Sequence, residues 1–172
     1  QEKMQKQSYI DNSHKVRVAD IMRLEEAASH MVSSFSGKAR AFLEIQNGCN
    51  HRCTFCIIPY GRGNNRSVPL ADIINHVKIL IKEGYSEIVF TGVDITDYGS
   101  NLAGKPKLGF LIKEVLKQVP DLKRLRLSSL DVAEIDDDLK ELIVTEPRLM
   151  PHFHLSLQSC LLYTSDAADE DL

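Results

Sequence analysis

A chain of 172 residues with 43% apolar content and a formal charge of -3 is long enough to bury one sizeable core and too acidic for a broad basic nucleic-acid face. Even without the carboxylates of Asp166, Asp169, Glu170 and Asp171, the remainder is close to neutral, so any RNA affinity has to be local. No apolar run approaches the ~18 residues of a membrane span and the first thirty residues lack a secretory h-region, which favours a cytoplasmic protein.

Residues 16–35 carry apolar side chains at Val18, Ile21, Met22, Leu24, Ala28, Met31 and Val32, the i, i+3, i+4 spacing of an amphipathic helix. Ser33, Ser34, Ser36 and Gly37 end it. Strands and helices alternate from there. Residues 41–46 read as a strand, followed by a cysteine-bearing loop. The stripe Leu70, Ile73, Ile74, Val77, Leu80 and Ile81 reads as a helix, with Ser67 and Pro69 marking its start and Gly84 its end. Residues 87–91 form a strand, 110–119 a helix closed by Pro120, 122–129 a strand, 137–145 a helix and 153–158 a strand. The acidic run from Asp136 to Asp138 suits a helix N-terminus.

This β-α-β-α-β-α-β order favours a parallel sheet with crossover helices, either a barrel or a doubly wound sheet. Within the strands, Leu125 and Leu127 oppose Arg124, Arg126 and Ser128. Phe153, Leu155 and Leu157 likewise oppose His152, His154, Ser156 and Gln158, and Glu44 and Gln46 alternate with Leu43 and Ile45. An antiparallel sheet with one wet face would show the same alternation. The intervening helices favour an α/β partial barrel with a polar inner chamber.

Three of the four cysteines fall within eight residues, Cys49-Asn50-His51-Arg52-Cys53-Thr54-Phe55-Cys56, which suits metal ligation better than disulfides. The C-x3-C-x2-C loop follows a strand at the mouth where such folds do chemistry. Three thiolates on a four-iron cluster leave one iron open. That iron can chelate S-adenosylmethionine, whose reductive cleavage yields a 5′-deoxyadenosyl radical. Structural zinc is the alternative, with His51 or Cys160 as a fourth ligand. Arg62 and Arg66 lie in a Gly-Arg-Gly-Asn-Asn-Arg loop that suits phosphate or a carboxylate on a modified base. Flexible solvated loops look much the same. His152 and His154 receive no role.

The cysteine loop with Phe55 before its last ligand resembles the radical S-adenosylmethionine superfamily, and Cys56-Ile57-Ile58-Pro59-Tyr60-Gly61-Arg62-Gly63 resembles its methylthiotransferase branch. Thr91-Gly92-Val93-Asp94-Ile95-Thr96-Asp97-Tyr98-Gly99, with Arg66-Ser67, is similar to the subgroup acting on N6-threonylcarbamoyladenosine in tRNA. The isopentenyladenosine subgroup typically has Gly-Gln-Asn-Val in that place, and the ribosomal-protein subgroup Gln-Asp-Thr-Thr. The resemblance implies an (β/α) barrel of which about four of six units are present, with Cys49, Cys53 and Cys56 on the [4Fe-4S] cluster. It implies S-adenosylmethionine at Thr91 and Gly92, and adds Ser128 and Gln158 as contacts for its ribose or carboxylate. It also implies tRNA as substrate, and an electron donor such as flavodoxin or ferredoxin.

The same resemblance divides the chain into residues 1–37 (end of an N-terminal domain and linker helix), 38–159 (truncated radical core) and 160–172. Family members carry a second [4Fe-4S] cluster in the N-terminal domain, but residues 1–40 contain no cysteine. The start at Gln1 and the two missing strands suggest a piece of a longer protein, inactive by itself. From Cys160 the sequence departs from the family and matches translated sequencing-adapter sequence, so it reads as non-native read-through. The function expected of the whole is methylthiolation of C2 of threonylcarbamoyladenosine beside the anticodon. The alternatives are isopentenyladenosine, a ribosomal protein, or a zinc-binding interaction module.

Overall fold

A computed structural model describes residues 20–24 and 39–156. Most of the expected helix over 16–35, together with Gln158 and Cys160, lies outside the described residues. The strands are β1 (Ala41–Glu44), β2 (Gln46–Asn47), β3 (Arg66–Ser67), β4 (Glu87–Thr91), β5 (Arg124–Leu127), β6 (Leu130–Asp131) and β7 (Leu155–Ser156). The helices are α1 (Ile58–Arg62), α2 (Leu70–Lys82), α3 (Leu108–Gln118) and α4 (Asp137–Thr145). Strands β1, β4 and β5 form a parallel sheet in the order β1-β4-β5, so the wet antiparallel alternative does not describe the main sheet.

Register explains the two faces. Phe42 pairs with Val89 and Val89 with Arg126, while Leu43 pairs with Phe90 and Phe90 with Leu127. Side chains alternate across a strand, so Leu43, Ile88, Phe90, Leu125 and Leu127 share one face. All five are buried, in one core with Ile73, Val77 and Leu80 of α2 and Leu111, Ile112 and Val115 of α3. The opposite face carries Glu44, Glu87, Arg124 and Arg126, the polar surface expected from alternation.

Helix α2 runs almost as its apolar stripe predicts. Its end is a Schellman turn, with Tyr85 N–H donating to Leu80 O (3.1 Å), Gly84 N–H to Ile81 O (3.0 Å) and Gly84 at φ 94°. Ser67 does not cap its start. It lies in β3, and its hydroxyl accepts from Gly99 N–H at 2.8 Å. At α4, Asp136 does cap the helix, accepting from Leu139 N–H (3.0 Å) while its second oxygen takes Gly109 N–H of α3 (3.0 Å).

The last expected strand starts later than its apolar pattern suggests, at Leu155 rather than Phe153. Leu149 bridges Leu125 in parallel, and Leu155 next pairs with Leu130 in β6. Pro151 stands between these pairings and offers no N–H to a ladder. Leu155 is 49% exposed rather than turned into the core.

At the floor of the polar face, Glu87 receives Arg126 Nε (2.6 Å) and Arg124 Nε (2.8 Å), with Arg40 Nε at 3.4 Å. Burial alone would raise this carboxyl, but the hydrogen bonds from Arg126 and Arg124 outweigh it and hold the carboxyl below its ordinary range. A depressed carboxyl adds stability above its unfolded pKa and loses it as pH falls through the folded value. Glu87→Gln should therefore cost about 1–2 kcal/mol at pH 7. Denaturant melts should show the gap closing below about pH 4; a gap constant with pH would contradict the ionic origin.

Candidate metal and cofactor site

The cysteine loop leaves the sheet at β2 and returns at β3, whose antiparallel pairing of Gln46 with Ser67 and Asn47 with Arg66 closes it at the neck. Gly48 sits at φ 75°, and a Cβ there would collide with Asn64 O. Only glycine meets both demands cheaply. Cys49 N–H donates to Gly63 O (3.1 Å) and Cys56 N–H to Cys53 O (3.0 Å). Arg52 ties the strands of the loop together through Cys49 O (3.1 Å), His51 O (2.9 Å) and Asn64 Oδ1 (2.7 Å).

Cys49, Cys53 and Cys56 line one cavity of about 210 Å³, opposite Val93, Asp94, Ser129, Asp131 and Ser156. These residues come from segments that follow β1, β4 and β5 and from β7, at the carboxyl end of the sheet. Cys49 and Cys56 are half-buried and Cys53 is exposed. Burial pushes the Cys49 thiol up, and the charges of Asp94, Cys53 and Cys56 add to this against a lowering backbone hydrogen bond at His51. His51 Nε2 lies 3.3 Å from Asp94 Oδ2 and 3.0 Å from Glu134 Oε1. Burial raises both carboxyls; mutual repulsion adds for Glu134, while the Thr96 hydroxyl, at 3.0 Å from Asp94 Oδ1, pulls Asp94 back.

Gln46 fixes the relation between the cysteine loop and the turn after β4. Fully buried, it accepts from the N–H groups of Val93 and Asp94 (2.9 Å each) and donates to Gly48 O (2.6 Å). A Cβ at Gly92 would lie 2.7 Å from Gln46 O and 2.8 Å from Gln46 Oε1, so this clamp by itself requires glycine. Thr91 is half-buried, and its carbonyl accepts from Ile45 N–H at 2.9 Å. Ser128 extends the β5 ladder through Phe90 O (3.1 Å), but its neighbour Ser129 is the one lining the cavity, at φ 45°.

The two loop arginines part company. Arg62 is exposed at the end of α1. Arg66 is 6% exposed, and its guanidinium donates to Arg62 O (2.8 Å) and Asn64 O (3.1 Å). It holds the loop rather than facing solvent. His152 and His154 are exposed. Sequence reasoning named His51 beside the cysteines only as a possible zinc ligand, and missed Gln46, Asp94, Ser129, Asp131 and Glu134. Of those missed, Asp94 carried a signal, by lying inside the motif from Thr91 to Gly99.

The donor chemistry fits an iron–sulfur cluster. Three soft thiols from one loop share one cavity, and the imidazole that zinc would recruit is held between two carboxylates. A competing set exists, since ligand atoms of Cys49, His51 and Asp94 lie within 4.8 Å of one another, but it leaves out Cys53 and Cys56.

The Radical SAM superfamily matches residues 43–161. A protein of Rickettsia prowazekii (strain Madrid E), threonylcarbamoyladenosine tRNA methylthiotransferase MtaB, is 56% identical over 92% of this chain and 38% of its own length. The Aquifex aeolicus (strain VF5) protein of the same name is 40% identical over 89% of this chain and 37% of its own. A tRNA-2-methylthio-N(6)-dimethylallyladenosine synthase of Carboxydothermus hydrogenoformans is 35% identical over 70% of this chain and 27% of its own. The chain thus spans well under half the length of these curated relatives.

Proposed function

This chain belongs to the Radical SAM superfamily, and we propose that it is the cluster-binding part of an enzyme that adds a methylthio group to C2 of N6-threonylcarbamoyladenosine beside the anticodon of tRNA. The observation that carries the reading is the shared cavity of Cys49, Cys53 and Cys56, in a chain 56% identical to a relative named for that reaction. Bound there, a [4Fe-4S] cluster with an open iron would supply reductive cleavage of S-adenosylmethionine.

The chain's own residues hold and orient. Thiolates of Cys49, Cys53 and Cys56 ligate; Gln46 sets the turn at Thr91 and Gly92 against the cysteine loop; Ser129, in the place expected of Ser128, faces the cofactor's ribose or carboxylate, and Gln158 is the second expected contact. Arg62 meets RNA phosphate. A second cluster, held by an N-terminal domain of the longer protein rather than by this sequence, and a flavodoxin or ferredoxin as reductant complete the proposal, in a cytoplasmic setting. Among the described residues no helix is long and apolar enough to cross a membrane.

Two other readings have a specific observation behind them. The dimethylallyladenosine synthase relative favours an isopentenyl-type substrate, and the set Cys49, His51 and Asp94 favours zinc. Nucleoside analysis of tRNA from cells lacking the full-length protein, then complemented with it, separates the substrates. The proposal expects loss and return of the methylthiolated threonylcarbamoyl nucleoside alone. Loss of the isopentenyl product instead would sink it.

A further inference from the structure

A second cavity, of about 460 Å³, adjoins the cysteine site and is lined by Thr96, Asp97, Lys105, Lys107, Glu134 and Asp136 among others. The two cavities share a wall. Thr96 bonds Asp94 Oδ1 at 3.0 Å and Asp131 N–H at 2.9 Å, and Glu134 meets His51 at 3.0 Å; Asp94, Asp131 and His51 all face the cysteines. A substrate presented to the first cavity therefore has a neighbouring space within reach of its substituents.

The charges in that space are unevenly engaged. Asp97 Oδ2 accepts from Asn50 (3.2 Å), Asn65 (2.5 Å) and Ser100 (3.1 Å). Asp136 is held by the two N–H groups of Gly109 and Leu139 (3.0 Å each), and Asp137 by Lys140 (2.9 Å). Glu134 faces His51. Lys105 and Lys107, by contrast, make no close ion pair among the described residues, although the charge of Lys107 also acts on Asp137. Lys105 is also kept at φ 45°, directly after Gly104 at φ 76°, a conformation that side-chain-bearing residues adopt rarely and that marks a turn held in place by its surroundings. Lys105 and Lys107 are the groups lining this cavity that can take an anionic ligand group in a charge-assisted contact.

We propose that Lys105 and Lys107 recognise the carboxylate of the threonylcarbamoyl group, so that this second cavity selects the modified adenosine over adenosines with neutral N6 substituents. The inference rests on the proposed function and adds the substrate's recognition site. A charge-assisted contact to a carboxylate corresponds to roughly tenfold or more in affinity. An isopentenyl group has no anion to offer. Phosphate contacts, in contrast, weaken binding alike for every base.

The test uses the full-length protein and anticodon stem-loop RNAs differing only at the target base, threonylcarbamoyladenosine or plain adenosine. Binding is followed by fluorescence anisotropy. Wild type should prefer the modified stem-loop by about tenfold or more. The Lys105→Gln/Lys107→Gln protein should lose that preference while binding the adenosine stem-loop within about twofold of wild type. A preference kept in the double variant, or an equal loss for both RNAs, overturns the inference; the latter outcome makes the lysines phosphate contacts. Absence of any wild-type preference overturns it as well. Wild-type protein that never methylthiolates threonylcarbamoyladenosine tRNA would instead defeat the proposed function, which keeps the two failures apart. Both lysines are exposed, and a circular dichroism melt matching wild type confirms that the variants fold.

Discussion

Replacing Cys53 by Ala in the full-length protein is expected to abolish both S-adenosylmethionine cleavage and methylthiolation, each by more than about 100-fold, since even outer partners of metal ligands are worth about 10–100-fold. The residue is exposed and, among the described residues, bonds to the loop through its backbone, with Cys53 O accepting from Cys56 N–H at 3.0 Å. Its side chain is thus dispensable for the fold but not for ligation, and two thiolates cannot secure a cluster that must keep a coordination site open. The measurement is 5′-deoxyadenosine formation beside modified-nucleoside yield, with the thermal melt as a folding control. Undiminished product from a folded variant would remove Cys53 from the ligand set. His51→Ala separates the readings further, because a zinc site built on Cys49, His51 and Asp94 would lose its metal while a three-thiolate site would keep it.

The second large effect divides the two loop arginines. Arg66 is buried with its guanidinium on Arg62 O and Asn64 O, and the same loop gives Gly63 O to Cys49 N–H. Arg66→Ala removes a buried side chain and leaves two part-buried carbonyls without its donors, at about 1–3 kcal/mol, and loosens the segment that positions Cys49. Cofactor cleavage and RNA modification should therefore fall together, by about tenfold or more. Arg62→Ala should spare cleavage measured without RNA, weaken tRNA binding evenly across sequences, and flatten its salt dependence by about one phosphate contact. Coupled loss in the Arg62 variant, or selective loss of RNA reaction in the Arg66 variant, would reverse these assignments.

The contrast between Arg62 and Arg66 shows where sequence reasoning stops. A Gly-Arg-Gly-Asn-Asn-Arg segment reads as a polar loop, and polarity does not reveal which guanidinium turns inward. That depends on the pairing of Asn47 with Arg66 across the neck, a nonlocal contact. Local, periodic signals transferred well: the stripe from Leu70 to Ile81, the strand Glu87–Thr91, and the cap at Asp136 all match the structure. Strand alternation also identified the polar face that carries Glu44, Arg124 and Arg126. The cysteine spacing was legible because three ligands from one short loop need no distant partner. Gln46, by contrast, looked like one more polar residue on an alternating strand. Its importance lies in accepting from Val93 and Asp94 N–H groups, which are remote in sequence. Ser129, rather than Ser128, reached the cavity because the backbone turns at φ 45° after β5, and nothing in a Ser-Ser pair announces which residue will take that conformation.

Metal content decides the central claim most directly. After anaerobic reconstitution, this polypeptide should hold at most about four irons with matching sulfide, from the single set Cys49, Cys53 and Cys56. It should give the electron paramagnetic resonance signal of a reduced [4Fe-4S] cluster, perturbed when S-adenosylmethionine is added. Stoichiometric zinc with no iron, on a folded chain, would contradict the account.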